Sequence, residues 1–303
     1  MMQPVKNTHT KTQRDWFKIG LKIVYVISLS IYAYYLIDGL GFYQLPFQER
    51  PHHEAYRNLR SAGLRGHGFG IIGSLMMTLM LLYSVRKRTN WFGKWGAISR
   101  WLDVHIYLGI MGPLLVILHT TFKLNGIVAV SFWSMIAVSG SGILGRYLYL
   151  QIPRNRRGDE LSLKEIESLD QEFSEELSRE LGLKNGKLAR LQEIAGVQNV
   201  NKDAGLFSLL MGMLRFDLFS FFRKYRQQRM LRKEFQLDSQ QLKAAIEILH
   251  RKQLLERRIL LLNHVQRLFH YWHVFHKPFA ILMFLIMILH IGVAVWLGYT
   301  WIF

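Results

Sequence analysis

Residues Trp101 to Phe122, WLDVHIYLGIMGPLLVILHTTF, and Lys277 to Thr300, KPFAILMFLIMILHIGVAVWLGYT, are two apolar runs long enough to cross a bilayer. Each is accompanied by two histidines fourteen positions apart: His105 and His119 in the first, His276 and His290 at the edge of and within the second. At about 100° and 1.5 Å per residue, fourteen steps bring a side chain back to within about 40° of the first and raise it about 21 Å. Each helix therefore presents one imidazole near each leaflet, on a single face. Two such helices side by side would hold two metal centres at two depths, each clamped by one histidine from each helix.

Working outward, three further runs reach spanning length, at roughly 20 to 42, 67 to 85 and 127 to 149. The first follows a long polar arm and is not followed by a small-residue cleavage site, so it reads as a span and not as a cleaved leader. The expected fold is all-α and polytopic, with five transmembrane helices, a four-helix haem-binding bundle and a helical cytoplasmic insertion. Residues 1 to 150 hold spans one to four, 151 to 270 form a cytoplasmic helical region, and 271 to 303 complete the bundle with span five.

Of the 303 residues half are apolar, the net charge is +18 and none is cysteine. Without cysteine there is no thiolate iron–sulfur cluster, no C-x-x-C-H haem attachment and no redox dithiol. The basic charge has a topological explanation and does not call for nucleic acid as a partner. Lys and Arg outnumber Asp and Glu by five to one in residues 1 to 22, five to one in 86 to 103 and twenty-two to sixteen in 150 to 274, against four to two in 43 to 66. Five spans then place the N-terminus in the cytoplasm and the C-terminus in the periplasm of a bacterial inner membrane.

Between the spans, the loop holding PFQERPHHEAYRNLRSAG has Pro46 and Pro51 as breakers, a short helix after Pro51, and His52 and His53 as solvated surface. Span two opens GHGFGIIG, with His67 at the outer rim. That histidine reads either as a hydrogen-bonded interface residue or as part of a quinone site or an outer haem's surroundings. Gly66, Gly68, Gly70 and Gly73 lie at the depth of His119, and the SGSG stretch of span four lies at the depth of His105. Both patches suit close helix packing, or room for a flat cofactor. Spans three and four, joined by Lys123 to Gly126, are antiparallel neighbours. Leu161 to Leu181 reads as an acidic amphipathic helix capped by Ser162 with Glu165 three positions on. Residues 204 to 230 read as a helix lying at the inner membrane surface or docked under the bundle, with its basic tail facing headgroups. From Asp238 one long helix runs into span five, kinked only at Pro278.

Neutral imidazole is the usual axial ligand of low-spin haem b, its second nitrogen fixed by an acceptor. Zinc or di-iron would need more ligands at one depth, and no span holds a glutamate. The cofactors expected are two non-covalent b haems, with a quinone as a second candidate ligand. His105, His119, His276 and His290 are the expected iron ligands. HYWHVFHK offers His273 and His270 as rivals to His276 for the inner iron; His276 keeps the fourteen-residue match. His270 and His273 are otherwise candidates for propionate or quinone contacts. Arg100, Arg146 and Lys277 are candidate propionate partners, or simply positive-inside anchors.

The two-helix, four-histidine pattern resembles the transmembrane haem domain shared by ferric reductases, NADPH oxidases and the haem-binding subunit of the methionine sulfoxide reductase system. It is also similar in spacing to the haem helices of quinol-oxidising cytochromes b. The likeness covers residues 67 to 149 and 270 to 300 and leaves out the cytoplasmic insertion. It implies that His105 and His276 bind the inner haem and His119 and His290 the outer one. No flavin or nicotinamide domain follows, so the chain reads as an electron-transfer subunit of an oxidoreductase, not a self-contained enzyme. It would pass electrons between a quinone pool or a cytoplasmic partner and an outer-face acceptor. Partners of this kind carry iron–sulfur, flavin or c-type haem centres. Two other readings are a quinone-reactive membrane anchor subunit and a haem-free scaffold or transporter.

Protease applied to sealed, oriented vesicles is expected to cut near Arg154 to Arg157 from the cytoplasmic side only. Cutting there from the outer side alone inverts the topology.

Overall fold

The computed structural model describes residues 15–89, 91–92, 95–153, 163–181, 205–235 and 239–300. The polar arm at 1 to 14, the protease site at 154 to 157 and the Ser162 cap lie outside the described residues. Within them the chain is all-α. In order come α1 (Trp16–Asp38), α2 (Leu40–Gln44), a 3-10 turn (Arg50–His52), α3 (Tyr56–Leu59), α4 (Leu64–Leu79), α5 (Leu81–Arg88) and α6 (Ile98–Thr120). They are followed by α7 (Ile127–Gln151), α8 (Leu163–Leu181), α9 (Leu206–Leu218), α10 (Ser220–Phe235) and α11 (Ser239–Trp296). Five helical stretches are long and apolar enough to cross a membrane: α1, the run through α4 and α5, α6, α7, and α11 from His264 onward. The molecule is a polytopic all-α protein. Its contacts define two units, Met1–Ile143 with Phe275–Phe303, and Leu144–Val274.

In the first unit α1 leaves Ile23, Val26, Ile27 and Ile31 exposed, a surface suited to acyl chains and not to water. It rests on α6, where the Ser28 and Tyr107 hydroxyls meet at 2.7 Å and Tyr25 sets its edge against the Tyr107 ring. α4 packs closely against α6. A Cβ on Gly73 would lie 2.9 Å from the Gly112 carbonyl oxygen, and one on Gly112 3.1 Å from that of Gly73. The absence of both side chains is what lets these backbones meet. Antiparallel α7 joins α6 through the Ser139 hydroxyl, which donates to the Gly109 carbonyl at 2.9 Å. It joins α11 through Ser131, donating to the Met283 carbonyl at 3.1 Å. Met77, Met80, Met135, Met283 and Met287 form the centre of the resulting four-helix bundle.

The structure departs from the sequence reading at two places. The second span is not one helix: it breaks at Met80, between α4 and α5. Ser74 and Thr78 donate back to the carbonyls of Gly70 and Ser74, a pattern that bends helices. The helix expected over 204 to 230 is likewise two, α9 and α10, meeting at Phe219.

The second unit has its own core, formed by Leu148 and Ile152 beside Leu209, Met213, Leu261 and Val265. Beside it lies a polar lock. Asp217 accepts from Arg257 at 2.5 Å, from the Tyr147 hydroxyl at 2.7 Å and from Gln151 at 3.2 Å. Arg257 also donates to the Gln151 side-chain oxygen at 2.9 Å. Lys252, buried on α11, binds Ser174 at 2.7 Å and Asp170 at 3.2 Å, which ties α8 to α11.

Over the C-terminal end of α6 the chain turns through Thr121 and Phe122, both at positive φ (49° and 62°). Such turns favour glycine. Here Arg50, only 6 % exposed, supplies the compensation. Its guanidinium donates to the carbonyls of Thr121 at 2.6 Å, Tyr43 at 2.8 Å and Leu45 at 3.0 Å. Arg50→Leu is expected to leave these acceptors unpaired and to cost on the order of 3 kcal/mol. Arg50→Lys, which lacks the planar fork, should lose less. Thermal unfolding in detergent measures both, and an unchanged Arg50→Leu midpoint would contradict this account.

Candidate functional site

The two histidines of α6 are held in the same way at its two ends. His105 Nδ1 lies 3.0 Å from the Met80 carbonyl oxygen, and His119 Nδ1 lies 2.9 Å from that of Gly66. A carbonyl can only accept, so in both rings Nδ1 carries the proton and Nε2 keeps its lone pair. The break in the second span makes the first contact available. At Met80 the carbonyl receives the Tyr83 amide at 3.3 Å, an i+3 bond, and its remaining capacity goes to His105.

His276 is held by another route: its Nδ1 lies 2.8 Å from Ser141 Oγ, a hydroxyl that also lies 3.0 Å from the Val138 carbonyl. Gly142 is the neighbouring clearance: a Cβ there would lie 3.9 Å from the His276 ring.

Around His119 the structure brings three histidines together. The His119 and His290 ring centroids are 6.4 Å apart with planes at 61°. The His67 ring lies 6.5 Å from that of His119. Two imidazoles bound on opposite sides of one metal, at bonds of about 2.0 to 2.1 Å, put their centroids about 6.4 Å apart. Gly70 makes the place for the His119 ring, since a Cβ there would lie 2.6 Å from its Nδ1. A cavity of about 290 Å³ opens here between α4, α6, α7 and α11, lined by His67, His119 and His290 with Met283 and Met287 below. Its size is at the lower end of small-molecule sites.

The level of His105 and His276 is arranged differently. The ring of Tyr83 lies 5.1 Å from that of His105, and His276 is held on Ser141. Both histidines adjoin one turn of α7, where Ser139 bonds Gly109, one helical turn from His105, and Ser141 bonds His276. His273 falls in the second unit; its Nδ1 donates to the Phe269 carbonyl of its own helix at 2.9 Å, between the rings of Phe269 and Trp272. Arg100 is exposed with its guanidinium over Phe17, Arg146 lies over Tyr149, and Lys277 is exposed.

Three parts of this arrangement were not read from the sequence. The Met80 carbonyl carries no sequence signal. Ser141 was grouped with the glycines around it as a small residue. Pro113 gives a clear one: a proline has no N–H for the carbonyl four residues back, which is Gly109, and Ser139 takes that place.

No family model matches the chain, and no curated protein or solved structure matches it either.

Gly70→Val is expected to push the His119 imidazole off the Gly66 carbonyl and to destabilise the protein by roughly 1 to 3 kcal/mol. Gly20, with open space around the position of a Cβ, is the control. Thermal unfolding of Gly70→Val and Gly20→Val side by side tests this, and equal midpoints would refute the tight seat for His119.

Proposed function

We propose that the protein is a membrane b-type cytochrome that holds two haems at two depths and carries electrons across the bilayer. The observation that carries this reading is the shared state of His105 and His119, each with Nδ1 committed as a donor to a backbone carbonyl. Metal-bound histidines are oriented by such contacts. The 6.4 Å separation of His119 and His290 fits one iron between them. Among the described residues no three His, Cys or acidic side chains gather as a metal group. A porphyrin supplies four ligands of its own and needs only two imidazoles from the protein.

Haem, when bound, supplies a one-electron iron couple. The chain's own work is to bind and orient. His105 and His276 take the inner level; His119 and His290 take the outer one, with His67 beside them as rim residue or quinone contact. His273 remains the rival to His276. The methionine core between the two levels excludes water and fills irregular space. Arg100, Arg146 and Lys277 are the candidates for propionates. The fourteen-residue spacing sets the two levels about 21 Å apart along each helix.

In this reading the chain is an electron-transfer subunit in a bacterial inner membrane, with its N-terminus in the cytoplasm and its C-terminus in the periplasm. It works between a quinone pool or a cytoplasmic redox protein and an outer-face acceptor, and resembles the ferric-reductase-like haem domains in its histidine pattern.

The purified protein is expected to contain two acid-extractable haems per chain. His119→Ala and His290→Ala should each lose the same single haem, and His105→Ala and His276→Ala the other. His273→Ala should keep both while shifting one potential. Pyridine haemochrome assay and redox titration read this out; a folded preparation without haem sinks the reading, and loss of an inner signal in His273→Ala but not His276→Ala reverses the inner assignment.

A further inference from the structure

The second unit collects more positive charge around Asp217 than its acids balance. Arg257, its side chain 3 % exposed, ion-pairs with Asp217 and shares the face of the Phe216 ring with Arg223, their guanidinium carbons 4.6 and 3.3 Å from its centroid. Arg258 follows on the same helix. Asp217 is already occupied by three donors. The Nε atoms of Arg257 and Arg258 are buried without a hydrogen-bond partner. Burial first, and then the neighbouring Arg257 charge, lowers the pKa of both Arg223 and Arg258. His250 is lowered too, by burial and then by Lys224, Arg223 and Arg257. Three arginines there share one carboxylate.

The position of α9 indicates where a further anion would come from. One face of the helix, Leu209 and Met213, packs on Leu148 and Ile152 at the end of the α7 span and on Leu261 and Val265 at the start of the α11 span. The opposite face is exposed at Phe207, Met211, Leu214 and Leu218, spaced by four, three and four residues as one stripe. It is continued by exposed Phe221 and Phe222 on α10, a helix with six basic residues and one acidic. An exposed apolar stripe at the depth where two spans end, backed by basic residues, suits an interfacial helix on an anionic lipid surface.

We propose that this cluster binds the phosphate of an anionic phospholipid, with Arg258, Arg223 and Lys224 as its donors, while the α9 stripe on the opposite face of that helix rests among the acyl chains of the surrounding lipid. The site is independent of the haem reading and requires only that α7 and α11 span the membrane.

The test uses the full chain in mild detergent, offered equal amounts of phosphatidylglycerol and phosphatidylcholine, with retained lipid counted by native mass spectrometry. Phosphatidylglycerol is expected to be retained preferentially. Arg258→Gln should lower its retention at least threefold, and Lys224→Gln, at an exposed position, about twofold, with melting midpoint and elution profile as in the parent. Excess inorganic phosphate should not displace the lipid. Equal retention of the two lipids, unchanged retention in both folded variants, or displacement by inorganic phosphate would each overturn the proposal. If Arg258→Gln does not fold, Lys224→Gln alone decides between loss and no loss.

Discussion

Inside a bilayer a backbone carbonyl without a hydrogen-bond donor costs several kcal/mol, because no water is there to replace it. The first unit is built around this constraint. Its helices are irregular at Met80, at Gly109 before Pro113, and at Thr121, and at each place a side chain from elsewhere supplies the donor: His105, Ser139 and Arg50. The serine on Met283 and the histidine on Gly66 extend the same pattern to regular helix. Satisfying carbonyls and orienting imidazoles are therefore one act. A ring that must donate through Nδ1 has its other nitrogen turned away from the acceptor, toward whatever occupies the space beyond.

This links the packing of α4 on α6 to the chemistry proposed for α6. The glycines that let the two backbones approach also set how far the Gly66 and Met80 carbonyls stand from the α6 histidines. Gly70 removes a side chain that would occupy the His119 position, and Gly73 and Gly112 hold the crossing close between the two histidine levels. Met283, seven residues from both His276 and His290, lies midway between those levels on α11. A layer of flexible thioethers there can fill space between two flat cofactors without imposing a shape of its own.

Much of the fold was legible because it rests on run length and period. Five apolar runs, an antiparallel turn at Lys123 to Gly126 and the continuation of α11 through Pro278 all follow from hydropathy and helix geometry. Gly70 was legible as a missing side chain, though the structure shows it clearing the imidazole itself. The break at Met80 was not legible, since methionine and its neighbours are good helix formers and the cause lies partly in serine and threonine back-bonding upstream. The division of 204 to 230 at Phe219 had no proline or glycine to mark it. His67 beside His119 could not be inferred from spacing, because it depends on the crossing of α4 over α6.

The arginines of the loop between α1 and α4 serve the folded state in ways a charge count does not register. Of the four basic residues between 43 and 66, Arg50 is consumed by three carbonyls, a task that only a planar fork of donors performs. Arg65 pairs with Asp38 at the end of α1 at 2.5 Å and lies against Tyr35. Both are there for structural reasons that act on the folded state. Insertion into a membrane acts earlier, on the chain before these contacts exist, and weighs every Lys and Arg alike. Arg50 and Arg65 are thus accounted for by the closing of the bundle at this end, where carbonyls must be satisfied because α6 ends without a glycine.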